Sequence, residues 1–499
     1  HILSILHTLT PFITMIAWFI WFLCSSISTG VASDLSSTRS TYKTLYYNQT
    51  LDHTNTFHPN TPRWSHRYLL NDDHWGTKPL FSSCPGPILM YTGNEADITA
   101  FWSGNGFMID YLAPKWGALV VFPEQRYYGE SIPSSSMEYL TTQNVLEDFV
   151  ELLDYVKKQY KAESCPVVAF GGSYGATLTT FLRSTYPFAV IGGLASSAPT
   201  GYYDPENWDT YGVSPYTFSD IVTKNYDAVD PQCLDAISAA REVMDESTVD
   251  ELVRAYNLCD ADGSGLGPKH SDLFLYSLEG LCQQNYPYAI GNMPAWPVTV
   301  ACDTLVRAYN SDENILDAAV EVTYMALGAD RDTCMPTIGP QGPGNIPGDG
   351  PGPGQWGYQS CTETLHKFSS RGIRNYSFDY TTSAYEPCMS NYHITPDPNA
   401  LTSRYGGYSL VNGDADITNI IWSNGALDPW SGGGFYPQYA PKDAAKRGMH
   451  FFMLETGAHH LDLRGPHPND PAEVTTVRQH EEKIIWEWIQ EFVYSHEGV

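Results

Sequence analysis

Five residues, Gly171-Gly172-Ser173-Tyr174-Gly175, carry the sharpest chemical signal in the chain. Small residues around a serine let a strand turn abruptly into a helix and lift the hydroxyl clear of the backbone. The run follows an apolar stretch at 166–170 and precedes a helix-compatible segment that stops at Pro187. A hydroxyl is a weak nucleophile until a base takes its proton and an acid orients that base. Asp428, in Leu427-Asp428-Pro429-Trp430, follows the apolar run 417–422; His459, in Gly457-Ala458-His459-His460, follows the run 450–454. Tyr174 would aim its backbone N–H at a developing oxyanion. Each residue also has a plainer reading. A Gly-rich turn can hold an incidental serine, and Asp-Pro is a common turn dipeptide. Adjacent histidines could bind a metal, but neighbours in sequence seldom face one ion, and no matching ligand cluster accompanies them. Three placements in the order Ser, Asp, His outweigh these alternatives. They describe nucleophilic acyl transfer with no metal and no cofactor.

The elements that must position these residues follow an α/β pattern. Runs at 87–91, 118–122 and 166–170 have the unbroken apolar character of buried strands. Leu146, Phe149, Val150, Leu153 and Val156 make one face of a helix over 142–160. From about 206 to 400 the character changes: cysteines become dense and helical periodicity dominates, with Leu234, Ile237, Ala240, Val243 and Met244 on one face. Residues 336–354 are mostly Gly and Pro, which build neither a helix interior nor a ladder, and are expected to form a mobile loop. After 400 the α/β signal returns and ends in a long helix, with Asp470 expected as its cap, Pro471 in its first turn and Glu473 three on. The expected fold is an α/β-hydrolase fold with an inserted helical cap: 34–205 and 401–499 form the hydrolase domain and 206–400 the cap.

Composition bounds the partners. The 499 residues carry 27 Lys+Arg against 56 Asp+Glu, a formal charge of −29. That field repels phosphate backbones and anionic lipid, so nucleic acid is excluded as a partner. Residues 1–33 hold no Lys, Arg, Asp or Glu; they read as a signal peptide cut before Asp34, with no membrane association after removal. Cys24 would leave with it, and an odd number of cysteines remains: disulfides in an oxidising compartment, with at least one free thiol. No CxxC pair supports zinc or thioredoxin chemistry. Asn48-Gln49-Thr50 and Asn375-Tyr376-Ser377 are glycosylation acceptors. Asp260-x-Asp262-x-Ser264-Gly265 opens like a calcium loop, but its twelfth position is Ser271 rather than Glu, so it is expected to be a polar turn.

Longer motifs carry a resemblance. Tyr91-Thr92-Gly93-Asn94-Glu95, Arg126-Tyr127-Tyr128-Gly129-Glu130-Ser131, the serine run, 423–434, 457–464, Tyr286-Pro287-Tyr288, Pro294-Ala295-Trp296-Pro297 and Tyr358-Gln359-Ser360-Cys361-Thr362-Glu363 resemble the family of lysosomal Pro-Xaa carboxypeptidase and dipeptidyl peptidase II. The likeness runs from about Leu51 to the terminal helix. It implies a serine exopeptidase cutting after proline, with Ser173, Asp428 and His459 as triad. It also implies Tyr174 and Asn94 as oxyanion donors, and peptides with proline beside the cleaved bond as partners. The pairs Cys233–Cys302, Cys259–Cys334 and Cys361–Cys388 are implied as well, while Cys84, Cys165 and Cys282 are left unassigned. Trp296 and Trp430 are candidate walls for a proline ring, with plain cap core equally open for Trp296. Two departures stand out: Gln125 occupies the place of the family's His, and Ala176 that of a Gly. A lysosome-like acidic or extracellular location is expected; a homodimer is left open. Removal of a C-terminal residue is favoured over release of an N-terminal Xaa-Pro dipeptide. An inactive, secreted binding relative is the reading from another class.

Overall fold

The computed structural model describes residues 41–54, 62–259, 266, 269–335, 354–413 and 415–496. The calls on 1–33, on the turn at 260–265 and on most of the Gly/Pro stretch therefore lie outside the described residues. Among the described residues, eight strands form one sheet in the order β1-β2-β4-β3-β5-β6-β7-β8. They are β1 (Lys43–Thr50), β2 (Arg63–Asn71), β3 (Ile88–Tyr91), β4 (Leu119–Pro123), β5 (Val167–Gly172), β6 (Gly192–Ser196), β7 (Ile420–Gly425) and β8 (Met449–Leu454). The first two form an antiparallel edge, β2 runs antiparallel to β4, and the remaining neighbours are parallel.

Every residue of β3 to β7 is buried, as expected of parallel strands covered on both faces. Alternate residues serve different cores. Ile88, Met90, Val121 and Ala169 pack with Phe149 and Phe181 on one face; Leu89, Tyr91, Phe122 and Phe170 pack with Met108, Ile485 and Trp488 on the other. Among the α-helices of eight residues or more, α1 (Thr142–Gln159) and α2 (Tyr174–Thr185) belong to the first layer, and α9 (Ala472–His496) covers the second. The glycine-rich β6 lets α9 approach closely, since a Cβ at Gly192 would stand 2.3 Å from the Trp488 ring.

Between β6 and its parallel neighbour β7 lies the helical block. It contains α3 (Thr217–Asp227), α4 (Cys233–Glu246), α5 (Asp272–Gln283), α6 (Pro297–Tyr309), α7 (Ile315–Leu327) and α8 (Gly354–Thr362). Helices α3 to α7 enclose a core of their own, around Tyr226, Ile237, Phe274, Leu278, Leu305 and Val322. The architecture is an α/β-hydrolase fold. Disulfides join Cys84–Cys165, Cys233–Cys302, Cys259–Cys334 and Cys361–Cys388, and Cys282 is a buried free thiol. Asn48 and Asn375 are both exposed. No helix among the described residues is long and apolar enough to cross a membrane.

The start of α9 differs from its expected chemistry. Asp470 does not cap the helix; its carboxylate accepts from the His467 N–H at 2.7 Å and pairs with Arg478, a guanidinium two turns along that outcompetes a neutral N–H. Glu473 turns away as well, accepting from the backbone N–H groups of Glu455 and Thr456 at 3.1 and 2.6 Å.

Candidate active site

Ser173 stands where β5 ends and α2 begins, with φ 60° and ψ −130°. A non-glycine residue held in that region stores on the order of 1–3 kcal/mol of strain, which its surroundings must maintain. They do so through its own N–H, which donates to the Ser196 carbonyl at 3.0 Å, and through the first bond of the helix, Ala176 N–H to Ser173 O at 2.9 Å. Gly171 is required here because a Cβ would fall 2.3 Å from the Gly175 carbonyl oxygen. The Tyr174 phenol is buried, and burial raises its pKa far above the ordinary range. It accepts from Gln359 Nε2 of α8 at 3.2 Å; Gln359 Oε1 in turn accepts from Tyr128 Oη at 2.5 Å and Gln125 Nε2 at 3.4 Å. Gln125 thus joins a polar link between the elbow and α8.

Asn94 lies in the loop after β3. Its Oδ1 accepts from Tyr91 Oη at 3.0 Å, and its side chain borders Gly175, where an added Cβ would meet Asn94 Oδ1 at 3.1 Å. The loop and the first turn of α2 are therefore in contact. Asn94 Nδ2 and both carboxyl oxygens of Glu95 are buried side by side. Burial pushes the Glu95 carboxyl up to about 7.

Asp428 follows β7 and His459 follows β8. Asp428 Oδ1 accepts from the Trp430 N–H at 3.0 Å, while Oδ2 lies 2.6 Å from His459 Nδ1. A carboxylate on Nδ1 fixes the tautomer that leaves a lone pair on Nε2. That Nε2 is buried and has no hydrogen-bond partner among the described residues. The His459 loop reaches the serine elbow through the next residue: an added Cβ on Gly172 would stand 3.1 Å from the His460 ring. The His460 imidazole is pushed well below its ordinary pKa, chiefly by burial, then by the neighbouring His459 ring and the Arg464 guanidinium.

Cap residues with no signal of their own hold these loops. Gln283, at the end of α5, accepts the His459 N–H through its carbonyl at 3.1 Å, and its Oε1 accepts from Trp430 Nε1 at 3.3 Å. Tyr286 Oη donates to the His459 carbonyl at 3.0 Å, and Asn225 Nδ2 of α3 donates to the Leu427 carbonyl at 2.6 Å. Of these, only Tyr286 falls in a motif that the sequence singled out. Trp430 packs in a group with Tyr202, Phe218, His366 and Phe368. Burial drives His366 down to about 3, so this wall is uncharged. Trp296 begins α6 with its N–H on the Tyr286 carbonyl at 2.8 Å and makes no ring contact with that group among the described residues. No set of three or more His, Cys, Asp or Glu among the described residues could hold a metal ion.

A strained serine at a strand–helix turn, with an Asp–His pair two and three strands away in the same sheet, defines a hydrolase of the α/β class. Residues 49–481 match the family described as Serine carboxypeptidase S28, and the chain belongs to it. Lysosomal Pro-X carboxypeptidase of Homo sapiens is 33% identical over 93% of this chain and 91% of its own length. Prolyl carboxy peptidase like protein 5 of Caenorhabditis elegans is 33% identical, covering 85% and 86%. Thymus-specific serine protease of Homo sapiens is 24% identical, covering 85% and 82%. The chain is a serine-type exopeptidase that acts on peptides. Its disulfides fit a protein of the secretory pathway or lysosome.

Proposed function

We propose that this exopeptidase releases the C-terminal residue from peptides ending in Pro-Xaa. The observation that carries the mechanism is the buried Asp428–His459 contact, which leaves the His459 Nε2 lone pair unoccupied beside the serine elbow. His459 Nε2 takes the Ser173 hydroxyl proton as Oγ attacks the proline carbonyl carbon; Asp428 steadies the imidazolium. The N–H of Tyr174 and a donor from the Asn94 loop receive the oxyanion. His459 then protonates the leaving amine, the C–N bond breaks, and Ser173 carries the acyl group as an ester. Water attacks that ester, giving its proton to His459, and Oγ recovers a proton as it leaves. The uncharged aromatic wall around Trp430 suits a pyrrolidine ring, and the cap favours a chain end over an extended substrate. The carboxypeptidase relatives support the choice of terminus, and they and the disulfides support an acidic, lysosome-like compartment.

One observation favours the other terminus. Glu95 places a buried carboxyl in the oxyanion loop, where an N-terminal ammonium would favour its ionised form and pair with it in release of an Xaa-Pro dipeptide. Two probes compared near pH 5 decide between them: an N-blocked Xaa-Pro-Phe with a free carboxylate, and a free-amine Lys-Pro amide reporter. Release of Phe alone is expected. Release of the dipeptide alone moves the assignment to the N-terminal activity, and cleavage of neither by folded protein makes the chain an inactive relative.

A further inference from the structure

The loop carrying His459 closes over two carboxyl groups that the proposed chemistry does not use. Asp462 lies in the single turn Leu461–Leu463, and Glu481 on α9; their exposures are 2% and 0%. Asp462 Oδ1 accepts from the Ser196 hydroxyl. Asp462 Oδ2 and both Glu481 oxygens have no donor among the described residues, yet Arg478, one turn before Glu481 on α9, holds the Asp462 backbone carbonyl at 2.9 Å and brings the two carboxyls to face each other. Two carboxylates cannot bond to one another, whereas a carboxylic acid donates well to a carboxylate.

The surroundings do not neutralise a double charge. Arg478, on the same helix, is already committed: Nε donates to the Asp462 carbonyl at 2.9 Å, one terminal nitrogen to the Leu461 carbonyl at 2.7 Å, and the other pairs with Asp470 at 2.5 Å. From β7 the Ser423 hydroxyl faces Glu481, and from β6 the Ser196 hydroxyl faces Asp462. The helical segment Phe107–Leu112, packed on the Leu461–Leu463 turn, contributes Asp110, which is exposed. The carboxyls sit behind both halves of the site. Ser196 holds the Ser173 N–H through its carbonyl, and the next hydroxyl, Ser197 Oγ, accepts the His460 N–H at 2.8 Å.

We propose that Asp462 and Glu481 share one proton, and that this carboxyl–carboxylate pair is the positioning element of the His459 loop. Losing the proton would set two negative charges in a buried space beneath the elbow and the loop, and they would separate. Burial and the adjacent Asp462 charge hold the Glu481 carboxyl well above the usual carboxylate range, in keeping with a proton retained in acid and lost on the alkaline side. The effect on activity rests on the role proposed above for His459; the shared proton itself does not.

The test uses the full chain and its Glu481→Gln variant, whose amide would donate to Asp462 without titrating. In the wild type, infrared spectra in heavy water should keep carbonyl bands of protonated carboxyls above about pH 6, beyond the range of an ordinary Glu; Glu95 and Glu279 contribute to them in both proteins, and the difference between wild type and E481Q should hold the band of one further carboxyl. The alkaline limb of the kcat/KM profile on blocked Xaa-Pro-Phe should move up by about one pH unit or more in E481Q, roughly tenfold in rate at a fixed pH on that limb. A wild type with no such bands above about pH 6 overturns the proposal whether or not the variant folds. So does a difference without the further band, or an E481Q profile that superimposes on the wild type. Should the further band be present while neither probe is cleaved, the shared proton stands and the peptidase reading fails.

Discussion

At the scale of single residues, the site depends on one carboxylate and one turn. Asp428 fixes the His459 tautomer, so Asp428→Asn should keep the fold and lower kcat by roughly 10⁴-fold, measured on blocked Xaa-Pro-Phe; a loss below tenfold would remove Asp428 from the mechanism. Ser173→Ala should abolish turnover to the level of binding and oxyanion stabilisation alone. The chemistry proposed for Ser173, Asp428 and His459 is the most legible part of the sequence, because each role needs a specific residue type after a strand. Their supports are poorly written in it. Gln283 acts on His459 through its backbone carbonyl, an atom every residue owns, and Asn225 is one polar side chain among many on cap helices. Glu95 stands out only once its burial is known.

At the scale of elements, buried parallel strands announce themselves through unbroken apolar runs, and β3, β4 and β5 fall within a residue or two of where those runs lie. Strand β6 does not, because Gly192-Gly193-Leu194-Ala195-Ser196 trades branched side chains for the close approach of Trp488. Strands β1 and β2 form the antiparallel edge, where β1 is largely exposed and has no apolar signature. The start of α9 follows a local capping pattern in sequence, but Arg478 and the 455–456 loop take the two acids for tertiary contacts. The cap grips the catalytic loops, so Tyr286→Phe, which deletes one donor to the His459 carbonyl, should lower kcat several-fold, the equivalent of about 1 kcal/mol, with KM nearly constant. An unchanged kcat would show that the Tyr286 hydroxyl does not hold the loop. The cap also needs its cross-links: replacing both Cys233 and Cys302 by Ser opens a loop of 69 residues and should cost on the order of 4 kcal/mol, read as a lower melting temperature.

At the scale of the whole molecule, two sets of buried groups pull stability in opposite directions with pH. Burial raises Glu95 and Glu279 to about 7 and holds Glu481 higher than a normal carboxyl. Such groups contribute fully below their unfolded value near 4.5 and lose that contribution as pH rises through the folded value. Burial lowers His366 to about 3 and also depresses His66 and His460. These contribute fully above about 6.5 and lose that contribution as pH falls. The slopes oppose each other between about 4.5 and 6.5, so the melting temperature should be nearly level there and decline on either side; a value still climbing at pH 8 would contradict this balance. The net charge of −29, which grows more repulsive with pH, adds to the alkaline decline. The placement of the cap between Ser196 and Ile420 also governs when this molecule becomes dangerous to its own cell. During synthesis the serine elbow leaves the ribosome before the cap, and β7 and β8, with Asp428 and His459 in the loops after them, leave only once the cap has emerged. A half-made chain holds the proposed nucleophile without its proposed base. On the proposed mechanism, cutting power arrives only when β7 has docked on β6 and β8 on β7, so a product interrupted before β8 is a harmless one.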